Sequence, residues 1–238
     1  MRLLLIRHGQ TPANVRGLLA TARPGPGLTR LGRKQAASLA TSLLADALAG
    51  EQIAAIYVSP LTRTAETAAP LAASLGLDPQ VLEGLEEIEA GDLEDRRDMP
   101  SVMIYVRTVF GWAAGDLDVR MPGAIDGSEF FARFDAAIAQ IAERHPDATV
   151  AIVSHGAAIR VWSGARAANL GADYTANRHL DNTGVVVLTG SPADGWLAET
   201  WAGEPVGGLD LIDHTAPDPL GDPIDEVEAE ARGSQDRE

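Results

Sequence analysis

Short aliphatic runs alternate along the chain with segments of helical period. Leu3 to Ile6 is the first run and ends at Arg7-His8-Gly9, the pattern of a buried strand closed by a tight turn. A loop rich in Gly and Pro, Arg23-Pro24-Gly25-Pro26-Gly27, precedes Thr29, which is placed to cap a helix to about Leu48. Leu31, Ala36, Leu39 and Leu43 form its inner side. Ile53 to Val58 predicts a second strand, and Ser59-Pro60 predicts a cap and first residue for a helix to about Leu75. Strand propensity returns weakly from Val81 to Ile88, and the charged stretch Asp92 to Asp98 predicts an exposed loop.

Tyr105 to Ala114 and Phe130 to Ala142 have helical spacing, separated by turn residues at Pro122-Gly123 and Asp126-Gly127-Ser128. Thr149 to Val153 is another buried-strand run, followed by His155-Gly156 and a helix to about Asn169; Val185 to Leu188 and Leu197 to Trp201 can close the sheet. Such alternation predicts an α/β fold, a three-layer α/β/α sandwich around a mainly parallel central sheet. From Gly203 the pattern dissolves into Gly, Pro, Asp and Glu. Residues 1–202 are therefore expected as one domain, and 203–238 as an acidic, solvated, disordered tail.

The composition narrows the chemistry. At 238 residues with 45% hydrophobic content, the chain can bury the core of one α/β domain. No apolar run is long enough to span a bilayer and no signal segment is evident, so a cytoplasmic location is expected. The absence of Cys removes thiolate chemistry and cysteine-held metals. A formal charge of −15 argues against nucleic acid and anionic membranes as partners, since both call for an extended basic face. Cationic chemistry must therefore be local. Lys34 is the sole lysine, so that chemistry falls to arginine forks suited to oxyanions.

Ligands of open α/β sheets gather beyond the carboxyl ends of the strands. There the first strand delivers Arg7, His8 and Gly9; the second delivers Ser59 and, one turn on, Arg63; the strand ending at Val153 delivers Ser154, His155 and Gly156. A lone strand-end His is more often a satisfied structural residue, and a lone Arg is more often solvated. Three such placements on one rim describe an oxyanion pocket, helped by helix amino termini after the turns.

These residues also carry a family resemblance. Leu5-Ile6-Arg7-His8-Gly9-Gln10-Thr11 with Asn14, Leu28-Thr29 with Leu31-Gly32-Arg33, Ser59-Pro60-Leu61 with Arg63-Thr64-Ala65, Glu87-Ile88 with Gly91, and Val153-Ser154-His155-Gly156 occur in order. Over roughly residues 1–188 the chain resembles the histidine phosphatase (phosphoglycerate mutase-like) superfamily. The resemblance implies the phosphoglycerate mutase-like fold and a metal-independent phosphatase without cofactor. His8 would be the nucleophile that forms a phosphohistidine, Glu87 the proton donor and acceptor, and Arg7, Arg63 and His155 the stabilisers of the phosphoryl group in flight. It implies phosphate or substrate contacts from Arg7, Gly9, Asn14, Arg63, His155 and Gly156. Glu87 is chosen over Glu86 and Glu89 because it directly precedes an apolar residue and stands four before a glycine.

Two motifs depart from the family pattern. Gly91 leads into Asp92-Leu93-Glu94-Asp95 instead of an aromatic residue and Glu-Gly, and Gly127-Ser128-Glu129 exchanges the last two residues of a common Gly-Glu-Ser element while keeping its capping capacity. The substrate mouth is expected from residues 16–27 and 92–121, with Arg16, Arg23, Arg96, Arg97 and Arg120 as candidates for gripping a further anionic group. The expected partner is a small phosphorylated metabolite; oligomeric state stays open, a homodimer included. Phosphoglycerate mutase-type transfer and non-catalytic phospholigand binding are the alternatives. A metal hydrolase fits poorly, because His145, His179 and His214 make no ligand pattern with His8.

Overall fold

A computed structural model describes residues 1–48 and 52–235. Its centre is a six-stranded sheet of β1 (Arg2–Arg7), β2 (Ile53–Val58), β3 (Gln80–Val81), β4 (Thr149–Ser154), β5 (Val185–Ser191) and β6 (Gly195–Ala202). The order is β3-β2-β4-β1-β5-β6. The first four strands in this order run parallel, and β5 and β6 add an antiparallel edge.

Alternation within each aliphatic run divides the core between the two faces. Leu3, Leu5, Tyr57, Val150 and Ile152 point to one side, with Val106, Phe130, Phe134 and Ile159. Leu4, Ile6, Ile56, Val58, Ala151 and Val153 point to the other, with Leu39, Leu43, Ala68 and Leu71. The helices supplying these residues are α2 (Arg30–Leu48) and α3 (Thr62–Leu75) on the second face, and α4 (Met99–Ala114), α5 (Gly127–Arg144) and α6 (Gly156–Arg166) on the first. The result is the expected three-layer sandwich. Each fully buried Leu, Ile or Val contributes about 1.5–3 kcal/mol to holding it together.

Local signals explain most boundaries. Thr29 starts α2, its hydroxyl accepting from Gly32 N at 2.9 Å. Asp126 and Glu129 form a reciprocal capping box that starts α5 three residues before its first aromatic. Asp98 caps α4 with Pro100 in its first turn, so this helix begins before the expected Tyr105. Two further short helices are α1 (Pro12–Val15), capped by Thr11, and α7 (Ala172–Ala176).

Three expectations need correction. Ser59-Pro60 does not open α3, whose N-cap is Leu61; the Ser59 hydroxyl is committed elsewhere. Val81 to Ile88 forms almost no strand, because after Val81 the chain leaves the sheet for a turn held by side chains. Residues 203–235 are not a free tail: they fold back over the carboxyl ends of the strands and finish in α8 (Ile224–Gln235). Leu220 and Val227 are buried in the main core, which outweighs the local polarity of this segment. Residues 236–238 of the expected tail lie outside the described residues.

Candidate active site

Ile6, Val153 and Val58 align across β1, β4 and β2, so the residues that follow them emerge side by side. His8 N donates to Ser154 O at 3.1 Å, and Ser59 N to Val153 O at 3.2 Å, which extends the parallel register into the turns. The imidazoles of His8 and His155 thereby come to 5.3 Å between ring centroids, both buried.

The hydrogen bonds assign a tautomer to each ring. His8 Nδ1 lies 2.8 Å from Gly9 O; a carbonyl oxygen only accepts, so Nδ1 carries the proton and Nε2 is bare. His155 Nδ1 accepts from Arg63 Nε at 3.3 Å, which puts its proton on Nε2, 2.7 Å from the Ser59 hydroxyl. Burial holds both imidazoles well below the usual histidine pKa, and the neighbouring charge of Arg63 and then Arg7 pushes His8 further down. His8 is therefore neutral at physiological pH.

Arg63, in the first turn of α3, is almost wholly buried. Its Nη2 donates to Ala20 O at 3.3 Å, while Nη1 has no partner. Burial lowers its pKa to about 10 despite the attraction of Glu87. Arg7 is fully buried: Nη1 donates to Leu180 O at 2.7 Å, Nη2 to Asp218 Oδ1 at 2.7 Å, and Nε has no partner. A buried donor left unsatisfied costs on the order of 1–3 kcal/mol, a cost that an incoming anion would remove.

Glu87 sits at the amino terminus of α6, where its carboxyl group accepts from Ala158 N at 2.8 Å, Ala157 N at 3.1 Å and its neighbour Ile88 N at 2.8 Å. Burial raises its pKa; these bonds and Arg63 offset only part of that rise. The irregular turn that carries Glu87 is clamped by Arg133 of α5. That guanidinium donates to Gly84 O at 2.9 Å, Glu86 O at 3.0 Å and Glu87 O at 2.7 Å. Tyr105 of α4 adds a bond to Ile88 O at 2.8 Å.

The remaining expected contacts divide. Gly9 N donates to Thr67 Oγ1 at 2.9 Å, so this amide is already used; the glycine is required because a Cβ would lie 2.8 Å from Gly32 O. Gly156 opens α6 with Arg7 Nε so close that a Cβ would lie 3.0 Å from it. Asn14 spends Oδ1 on capping Thr11 and points Nδ2 at Asp218 Oδ1, 3.3 Å away.

At the mouth, Glu94 is not solvated: it accepts from Thr21 N at 2.8 Å and Ala22 N at 3.0 Å, tying the two mouth loops together. Arg23 pairs with Glu83 and Glu86, Arg96 with Asp98, and Arg120 with Asp126 and Glu129. Arg16 bonds Pro12 O. Arg97 is exposed and makes no ion pair among the described residues. A cavity of about 1340 Å³ opens between residues 177–182 and the folded-back tail; Gln10, Asn14 and Asp218 line it, whereas Arg7, His8 and Glu87 do not. His179, Asp181 and Asp222 hold donor atoms within 4.8 Å of one another there, the one such group among the described residues, and it excludes His8 and His155.

Sequence reasoning missed Arg133, Tyr105 and Asp218, and gave no role to Thr67, which stands in the family-like stretch Glu66-Thr67-Ala68. Arg133 and Tyr105 act on backbone carbonyls, which leave no motif. Asp218 stood among many tail carboxylates with nothing to single it out.

Comparison with known proteins matches residues 3–202 to the model of the histidine phosphatase superfamily (branch 1). The chain is 38% identical, over 87% of its length, to PE-PGRS family protein PE_PGRS11 of Mycobacterium tuberculosis, and it spans 37% of that longer protein. It is 31% identical to the adenosylcobalamin/alpha-ribazole phosphatase of Escherichia coli over 65% of this chain and 73% of that one. Among solved structures it is similar to a mycobacterial glucosyl-3-phosphoglycerate phosphatase, with a TM-score of 0.67 and 25% identity over 84% of this chain and 98% of the other. No helix among the described residues is long and apolar enough to cross a membrane.

Proposed function

The chain belongs to the histidine phosphatase superfamily, branch 1, an enzyme of the phosphatase class by that membership, and from this premise we propose that it hydrolyses a small phosphomonoester through a phosphohistidine on His8. The observation that carries the reading is the bare Nε2 of a neutral His8, whose only proton is held by Gly9 O, beside two buried arginines with unpartnered donors. The Nε2 lone pair attacks phosphorus in line and the bond to the leaving oxygen breaks. That oxygen takes the proton of the Glu87 carboxyl group, whose raised pKa suits the task. Glu87, now a carboxylate, then accepts a proton from water as the water oxygen attacks phosphorus; the P–N bond breaks and its electron pair returns to Nε2.

Arg63 and Arg7 offset the charge on the non-bridging oxygens. His155 is neutral at rest. Its one N–H, on Nε2, would pass from the Ser59 hydroxyl to an oxygen of the group in transfer, so the ring donates without taking up a proton. No metal ion is required by this scheme, because guanidinium groups supply the neutralising charge.

The test is phosphate release from a panel that includes phosphoserine, glucosyl-3-phosphoglycerate, alpha-ribazole phosphate and 3-phosphoglycerate, with His8→Ala as control. At least one compound should release phosphate, with about a 10³-fold or larger loss in the variant. A variant turning over like the parent, or isomerisation of 3-phosphoglycerate without free phosphate, would overturn the reading.

A further inference from the structure

Arg7 meets two different surroundings on its two sides. A guanidinium has five N–H donors. Nη1 donates to Leu180 O at 2.7 Å and is ion-paired with Asp218 Oδ2 at 2.6 Å, and Nη2 donates to Asp218 Oδ1 at 2.7 Å, so both Nη groups are engaged end-on. The Nε–H and the second Nη2–H remain, and together they form the side-on fork that takes two oxygens of a tetrahedral anion. Nε lies against Gly156 at the head of α6, beside His155, whereas Nη1 abuts Gly221 of the folded-back segment. The end-on face thus belongs to the segment after Ala202, and the side-on face is turned to the reaction site.

We infer that Asp218 is a positioning residue for the phosphoryl-transfer site: its carboxylate holds Arg7 end-on and so presents the Nε/Nη2 fork to the phosphoryl group. The inference rests on the role of Arg7 proposed above. Asp218 also accepts from Asn14 Nδ2 at 3.3 Å, so one carboxylate orients two of the expected phosphate contacts. The fit is built from both partners. A side chain at Gly221 would overlap Arg7 Nη1, one at Gly156 would overlap Leu220 O, and buried Arg160 donates to Leu220 O at 3.2 Å. Leu220 is itself buried, which fixes the backbone two residues from Asp218.

Positioning and occlusion predict opposite signs. A carboxylate that competed with phosphate for Arg7 would inhibit, and its removal would raise activity. One that orients Arg7 leaves the fork misaligned when removed, and misplacement by about 1 Å costs on the order of 10²-fold. The experiment measures p-nitrophenyl phosphate hydrolysis and inhibition by inorganic phosphate in the full chain carrying Asp218→Ala or Asp218→Asn, each also in an Arg7→Lys background. Asp218→Ala should lower kcat/KM by about 10²-fold and weaken phosphate inhibition, and Asp218→Asn should do so by about 10-fold. In the Arg7→Lys background, where no fork exists to orient, each substitution should change kcat/KM less than about 2-fold.

Higher activity or tighter phosphate inhibition in either variant overturns the inference, and so do losses of equal size in both backgrounds. Should Asp218→Ala not fold, the near-isosteric Asp218→Asn pair decides. His8→Ala in parallel keeps the two readings apart: if it hydrolyses like the parent, the functional reading fails; if it is inactive while Asp218 variants are unimpaired, only the tail inference fails.

Discussion

The strand tips and the segment after Ala202 meet at Arg7, yet they are held there by different forces. His8, Ser59 and His155 are carried by parallel strands whose side chains are buried on both faces, so packing fixes their positions before any polar contact forms. Residues 203–235 have little apolar anchorage, chiefly Leu220 and Val227, and depend on polar contacts such as Asp218 with Arg7 and Gln10 with Asp213 at 2.9 Å. The first arrangement rests on apolar packing. The second rests largely on polar partners that the site and its surroundings supply.

The largest effect that can break this contrast is at the strand tips. Arg63→Ala removes a donor that already stands unpartnered in the cradle; kcat/KM for a phosphomonoester should fall by about 10³-fold with little change in Tm. A large loss of Tm would show that Arg63 serves the fold instead. Next comes Glu87→Gln, whose amide oxygen can keep the bonds from Ala158 and Ile88 but not the one from Ala157, and which holds no transferable proton. Its formation of phosphohistidine should slow by about 10²-fold for alkyl phosphates and much less for p-nitrophenyl phosphate, whose leaving group needs no proton. Equal slowing of both in single-turnover measurements would remove Glu87 from the proton-transfer role.

Smaller effects sharpen the view of the segment and of the buried rings. Val227→Asp places a charge where α8 packs on the core and should cost about 2 kcal/mol of docking. Amide exchange should accelerate across residues 224–235 while β1 and β4 stay protected; uniform acceleration would mean that α8 is integral to global stability. The last test is pH. His8 and His155 have folded pKa values well below the ordinary 6.5, so below that value unfolding takes up protons and stability falls as pH falls. Tm should drop between pH 7.5 and 5, with a shallower slope in His8→Asn; an unchanged slope would exclude His8 as a source. Glu87 acts in the opposite sense, its stabilisation being present below the ordinary carboxylate pKa and lost as pH rises through its raised folded value.

The same contrast explains what was legible in the sequence. Arg7, His8, Arg63 and His155 could be placed because each follows closely on the end of an aliphatic run, and runs of that kind locate strand tips. Glu87 could be chosen only through family resemblance, since residues 82–90 lie in an irregular turn whose shape is imposed by Arg133 and Tyr105 from distant helices. Ser59 reads as a cap because Ser-Pro after a strand satisfies the helix-start pattern, and nothing local reveals that a histidine 96 residues later engages the hydroxyl. The folded-back segment escaped because two anchoring apolar residues among many Asp, Glu, Gly and Pro produce no period.

The opposite tautomers of the paired imidazoles have one more consequence. In the resting molecule each ring owns a single hydrogen, one pledged to a main-chain oxygen and the other to a serine. Neither can be given up without also breaking the bond that orients its owner. In the proposed reaction the departing alcohol therefore draws its hydrogen from Glu87 or from a substrate that arrives already protonated, which would make the ionisation state of the incoming ester part of what the site selects.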